Sequence, residues 1–205
     1  MTAKRRSQTD RSAATRDALI QVARERFADH GYGGVGTEAI VRAAGVTRGA
    51  LYHQFADKAE LFAAVVEAVE ADVMSRIDVA VATSGLGDVI QLMKLGADTW
   101  LDACSDPSIS RIMLVDAPSV LGWERWREIG LKYGMGMVQA LLGQAMATGR
   151  IRTQPVAPLA HVLIGALDEA TLYVVRHQDR PAALAEVRAV LRDLIDAFAV
   201  GSNSR

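Results

Sequence analysis

A chain of 205 residues with a formal net charge of −1 is long enough for one compact domain, a smaller appendage and a buried core. An apolar share of 50% with 23% charged residues excludes a disordered chain, and a single cysteine, Cys104, excludes an internal disulfide and a thiolate-rich metal site. No apolar run reaches the roughly 18 residues of a membrane span, and no apolar segment of secretory type follows the basic N-terminus, so the expected location is cytoplasmic with no membrane partner.

The charge is unevenly spread. Residues 1–60 hold ten Lys/Arg against seven Asp/Glu, net +3, and the remainder thirteen against seventeen, net −4. A basic head on an acidic body suits local phosphate contact. Aromatic residues make up only 5%, and the apolar spacing is helical nearly throughout, so an all-α protein is predicted.

Residues 1–9 are polar, with Lys4, Arg5 and Arg6 clustered. They read as a tail, free in solution, that can order along a phosphate backbone or in a minor groove. From about Asp10 to His30 the positions Leu19, Val22, Ala23 and Phe27 fall at helical spacing, and Gly31 is a stop signal. Residues 31–36 (Gly-Tyr-Gly-Gly-Val-Gly) form a loop without the preceding strand or the spacing of a dinucleotide-binding turn. Thr37 is predicted to cap a short helix ending near Ala44, Gly45 to make the turn, and Thr47 to cap a second short helix. Asp57-Lys-Ala-Glu60 has the pattern of a capping box opening a long helix to about Val81.

The two short helices and their glycine turn read as a helix-turn-helix. Leu51 and Phe55 share one side of the second helix, to be buried against Ile40, Ala43 and Val46. Gly49 and His53 lie roughly opposite Leu51, and Tyr52 flanks them. Thr47 and Arg48 stand at a helix N-terminus, where free N–H groups favour a phosphate, and Lys58 repeats the device at the next helix start.

The stretch from Phe27-Ala-Asp-His-Gly-Tyr32 through Ala44-Gly-Val-Thr-Arg-Gly-Ala-Leu-Tyr-His-Gln-Phe-Ala-Asp-Lys-Ala-Glu-Leu-Phe62 resembles the tetracycline-repressor-like (TetR) transcriptional regulators over about the first third of the chain. The resemblance implies an N-terminal three-helix helix-turn-helix DNA-binding domain, a larger helical ligand-binding and dimerisation domain, and a homodimer on palindromic double-stranded operator DNA. Carried over by position, Thr37, Thr47, Tyr52 and Lys58 look like phosphate contacts, and Arg48, Gly49 and His53 look like the base-facing set. Val41 stands where the family more often has alanine, and Gly33, Gly34 and Gly36 make the preceding loop glycine-rich. The expected division is residues 1–57, arm and reading head, and residues 58–205, body.

Further helices are predicted near 88–104, 107–115, 122–148, 156–177 and 182–199, with Asp116-Ala-Pro118 among the breaks. Residues 111–127 look like the sensor domain of one subgroup of the same family. Met93, Ala97, Trp100 and Cys104 form one helical stripe, and Trp123, Trp126, Gly130, Tyr133 and Met137 another. Plain core packing explains such stripes. Gly130, Gly134 and Gly136 inside one helix each cost about 1 kcal/mol against alanine, and space for a ligand against the backbone would compensate. A mostly apolar cavity for a hydrophobic or aromatic small-molecule effector is therefore expected, with Asp168 as a polar candidate.

Asp116, His161, Glu169, Tyr173 and His177 are the remaining polar candidates of the body. Asp168 and Glu169 point in different directions on a helix, so they make no ready acid/base pair. No catalytic residues, cofactor or metal are expected. The last two helices carry Leu159, Val162, Leu163, Leu167 and Val174, then Leu184, Val187, Leu191, Leu194, Ile195 and Phe198, an apolar surplus suited to a homodimeric four-helix bundle. The reading is a ligand-responsive regulator, in the main a repressor released by its effector. A DNA-binding protein without effector response and a helical enzyme with a vestigial head are the alternatives.

Overall fold

A computed structural model describes residues 8–200. The cluster Lys4, Arg5 and Arg6 expected to act as an arm lies outside the described residues. In chain order the helices are α1 (Gln8–His30), α2 (Thr37–Ala43), α3 (Arg48–Gln54), α4 (Lys58–Thr83), α5 (Val89–Cys104) and α6 (Pro107–Ser110), then a π-helical segment Arg111–Asp116, α7 (Ala117–Leu121), α8 (Trp123–Ala147), α9 (Val156–Arg176) and α10 (Arg180–Phe198). Among the described residues there is no strand; Ile151 and Ala199 form one isolated antiparallel bridge.

The chain divides into two compact units. The first takes the described residues up to Val69 together with Pro107–Trp126, and the second Glu70–Asp106 together with 127–200. In the first, α1 packs on α2, α3, α6 and the π-helical segment. Leu19, Ala23 and Phe27 of α1 are fully buried, as are Ile40, Leu51, Leu61 and Phe62. Phe27 meets Phe62 edge-on, ring centroids 5.1 Å apart. Gly31 closes α1 at φ 71°, a left-handed value that an L side chain resists. A methyl at Gly34 would stand 2.5 Å from the His30 carbonyl oxygen, so that loop position excludes other residues.

In the second unit α10 packs on α5 and α9. Ile90, Met93 and Ala97 of α5, Leu142 and Ala145 of α8, Leu159, Ala160 and Leu163 of α9 and Ile195 of α10 make a contiguous core. Asp98, 7% exposed, is a buried carboxylate in the α5–α10 seam. It is neutralised by Arg188 at 3.2 Å and by a forked bond from Arg192.

Several local expectations are corrected. Gly36, not Thr37, is the N-cap of α2, and no side chain caps that helix; Thr37 is its first helical residue. Ala43 is exposed, and Val41, 6% exposed, fills the buried side of α2 beside Ile40. Half of the capping box forms, Glu60 N–H donating to Asp57 Oδ1 at 2.8 Å. The returning half does not, because the Glu60 carboxylate receives both terminal nitrogens of Arg125, at 2.5 and 2.8 Å. No break occurs at Asp116-Ala-Pro118: Pro118 falls in the first turn of α7, where its missing N–H costs nothing. By length and composition alone α9 could cross a membrane, which is no correction to the expectation of no unbroken apolar run. Asp168 and Glu169 interrupt its apolar run, and its Leu159, Ala160 and Leu163 pack in the core just described.

Candidate nucleic-acid interface

The reading pair is built from short-range chemistry. Thr47 is the N-cap of α3, its hydroxyl oxygen accepting from Ala50 N–H at 3.1 Å. α3 buries Leu51 completely, and Phe55, just past its end, is 4% exposed under the guanidinium of Arg16, 4.4 Å from the ring centroid. With that side fixed, Thr47, Arg48, Gly49, Tyr52 and His53 are all exposed on the same helix. Nothing inside the protein requires glycine at 49, where a methyl would find only Thr47 Oγ1 at 3.8 Å. Gly49 is a gap in an outward face.

Arg48 reaches Glu38 of α2 at 3.1 Å and lies 5.5 Å from the Tyr52 ring centroid. Both partners of that ion pair are well exposed, 65% and 62%. A pair so solvated contributes roughly 0–1 kcal/mol, so Arg48 leaves it at little cost. Thr37 is half-buried at the start of α2. Lys58 is half-buried too. Its Nζ donates to the carbonyls of Tyr32 and Val35 at 2.9 Å each and stands 3.9 Å from the Tyr32 ring centroid. Its amine therefore closes the loop between α1 and α2. Burial, with the Asp57 charge adding to it, raises the Tyr32 phenol above its ordinary range.

Residues 19–65 match "Bacterial regulatory proteins, tetR family", and residues 90–198, more than half of the chain, match "Tetracyclin repressor-like, C-terminal domain". The chain belongs to the TetR family. It is a transcriptional regulator with the family's all-α fold, an N-terminal helix-turn-helix domain and a helical C-terminal domain. The Transposon Tn10 TetC protein of Escherichia coli is 25% identical over 162 residues, 77% of this chain and 79% of that one. The HTH-type transcriptional repressor AcnR of Corynebacterium efficiens is 34% identical over 84 residues, 41% of this chain and 43% of that one. The crystal structure of a TetR-family transcriptional regulator from Pectobacterium atrosepticum superimposes with a TM-score of 0.82 at 29% identity, covering 96% of this chain and 99% of that chain.

The residues singled out for effector contact separate in this TetR-family chain. Trp123 and Trp126 belong to the first unit. Trp126 is buried and donates its indole N–H to the Met113 carbonyl at 2.8 Å, while Trp123 is 67% exposed beside it. The others lie in the second unit. Met93 and Ala97 are members of its packed core. Trp100 donates its indole N–H to Thr171 Oγ1 at 3.0 Å. Tyr133 and Met137 are half-buried on α8, and Lys132 lies 5.1 Å from the Tyr133 ring centroid. Cys104, Gly130 and Asp168 come together with two residues that the sequence reading passed over, Glu70 and Arg127. No local signal could have found Glu70, one of several acidic residues on α4, because the residues it gathers with lie 34 or more positions away.

Proposed function

We propose that this TetR-family regulator is a homodimeric repressor that reads a palindromic operator with α3 and leaves it when a hydrophobic or aromatic effector enters the body. The observation carrying the reading is the outward face of α3, where Thr47, Arg48, Gly49, Tyr52 and His53 are exposed together while Leu51 anchors the helix from behind. Thr47, Tyr52 and, at the first turn of α2, Thr37 contact phosphates; Arg48 and His53 reach base edges across the gap at Gly49. Lys58 touches phosphate from the start of α4 in exchange for one of its loop carbonyls. The reading head is residues 1–57 and the body residues 58–205.

Dimerisation through the last two helices is supported by what the body leaves uncovered. Val162 (63% exposed) and Tyr173 on α9, with Val190 (65%) and Leu194 on α10, are large apolar groups facing outward. A second copy covers them as a four-helix bundle and sets two α3 helices about 34–36 Å apart, one turn of DNA. The effector acts only as far as it prefers the body conformation with the wrong spacing.

Footprinting on the DNA upstream of the protein's own gene, with the mass of the complex from light scattering, tests this. A protected inverted repeat bound by two chains is expected. Protection of one asymmetric half-site by a single chain would overturn the dimeric reading.

A further inference from the structure

Four helices of the second unit bring Glu70 (α4), Cys104 (α5), Arg127 (α8) and Asp168 (α9) together. Arg127 is taken by Asp168 in a short ion pair. Glu70 is only 4% exposed, and among the described residues it makes no hydrogen bond and no ion pair. Burial above all, and then the Asp168 carboxylate, push its acid up to about 8. Burial raises Asp168 to about 6 in spite of Arg127, and it pushes the Cys104 thiol up, so that thiol is neutral. Arg127 thus answers Asp168 alone, and Glu70, if it ionises, has no counter-charge in the cluster. A core has no packing reason to keep such a group, because an unpaired buried carboxyl costs stability that leucine would not.

The carboxyl also has room in front of it. No fully enclosed side-chain nitrogen or oxygen among the described residues lacks a partner. Glu70 has none, so its carboxyl oxygens are not fully enclosed and keep part of its 4% exposure. The α8 backbone passes beside the carboxyl at Gly130, where a methyl would stand in ordinary contact, 3.7 Å from Glu70 Oε1. Gly134 and Gly165 have no atom within 4 Å of where a Cβ would be. Arg127, Gly130 and Gly134 fall on one side of α8, and Gly165 and Asp168 on one side of α9. Among the described residues no group of three His, Cys, Asp or Glu could hold a metal ion, so the counter-charge considered for Glu70 is an organic cation.

We propose that Glu70 anchors the effector, an apolar or aromatic molecule carrying a protonated amine or amidine whose cation seats against the Glu70 carboxylate beside Gly130 and Asp168. The proposal rests on the effector-responsive reading above. It gives the glycines of α8 a use: they admit the ligand next to the carboxyl.

Calorimetry on the full chain tests it with benzyl-, 2-naphthylmethyl- and biphenylmethylamine, each against the alcohol bearing hydroxyl in place of the amine. The amines are expected to bind roughly ten- to hundred-fold tighter than their alcohols. Near neutral pH each should release close to one proton as Glu70 ionises, read from two buffers with different ionisation heats. Glu70→Gln lowers the amines to the level of the alcohols and abolishes the proton release; Glu70→Asp retains the release with weaker binding. Should the glutamine variant fail to fold, proton release by amines and not by alcohols in the natural protein carries the test. Alcohols as tight as amines, an amine preference that survives Glu70→Gln, or no binding by any of the six compounds would overturn the anchor. A parallel titration of operator-bound protein separates the two readings. Amine binding that leaves the operator occupied retracts the effector response and keeps the anchor. Release by the alcohols alone keeps the response and overturns the anchor.

Discussion

Asp116 accepts a hydrogen bond from the backbone N–H of Tyr32 at 2.8 Å, across 84 residues of chain. Arg111, at the other end of the same π-helical segment, donates to the carbonyls of Ala28 and Asp29 at 3.1 and 3.0 Å, satisfying two of the unpaired acceptors at the end of α1. Lys58 ties down the same loop through the Tyr32 and Val35 carbonyls. The loop that fixes where α2 begins is therefore held by a segment lying, in sequence, beyond the 26-residue α4.

Asp116→Ala removes a charged acceptor and leaves Tyr32 N–H without its partner. Urea unfolding of the full chain is expected to show a loss of about 1–2 kcal/mol, with weaker operator binding alongside. Asp116→Asn keeps an acceptor and should recover most of both. Equal stability in all three proteins would remove the anchoring role.

Tyr52 and Lys58 should respond differently to alanine. Tyr52 is 42% exposed on α3, with Arg48 5.5 Å from its ring centroid. Tyr52→Ala is expected to weaken operator binding by roughly 1–2 kcal/mol while leaving the melting temperature unchanged. Lys58→Ala loses two hydrogen bonds and a cation–π contact, so it should lower both stability and operator affinity. Neither should alter dimerisation, and sedimentation showing monomers in either variant would contradict these roles.

A body containing Glu70 near 8 and Asp168 near 6 has an unusual dependence on pH. Both acids keep their proton in the folded chain at pH values where the unfolded chain has released it. Their contribution is fully present below the unfolded values, near 4, and is lost as pH rises, through about 6 for Asp168 and about 8 for Glu70. Unfolding free energy is expected to fall from about pH 5 to about pH 8, by on the order of a few kcal/mol. Glu70→Gln, which copies the protonated form, should flatten the curve between about pH 6 and pH 8 and exceed the natural protein at the upper end. A variant whose curve runs parallel to the natural one would contradict the burial of an unpaired Glu70.

What was legible in the sequence is what depends on neighbours within a turn or two. Thr47 caps α3 because its hydroxyl reaches only three residues ahead, and Gly31 closes α1 at its own φ. The faces of α3 follow from helical phase once Leu51 is placed inside. Illegible were the choices decided by a distant partner. Glu60 had a local use in a capping box and a better one in Arg125, which is 65 residues away. Val41 rather than Ala43 is buried beside Ile40 because periodicity over seven residues does not fix which side of α2 faces α1. The stripe of Met93, Ala97, Trp100 and Cys104 on α5 divides between a closed core, to which Met93 and Ala97 belong, and the polar cluster around Glu70, which Cys104 joins.

The outward apolar groups of α9 and α10 provide a direct check on dimerisation. Val190→Arg, with Val162→Arg as a second variant, should convert the dimer to a monomer without loss of helical circular dichroism, since both valines are more than half exposed in the single chain. Operator affinity should fall with it. A dimer of unchanged strength in both variants would move the interface elsewhere.

The central claim, that α3 reads a specific DNA sequence, is tested most directly by fluorescence-anisotropy titration of the protein against the duplex upstream of its own gene and against a scrambled duplex, over a salt series. Binding roughly a thousand-fold or more tighter to the natural duplex, weakening steeply as salt rises, is the expected result. Equal, weak binding to both duplexes that persists when sites are selected from the whole genome would contradict it.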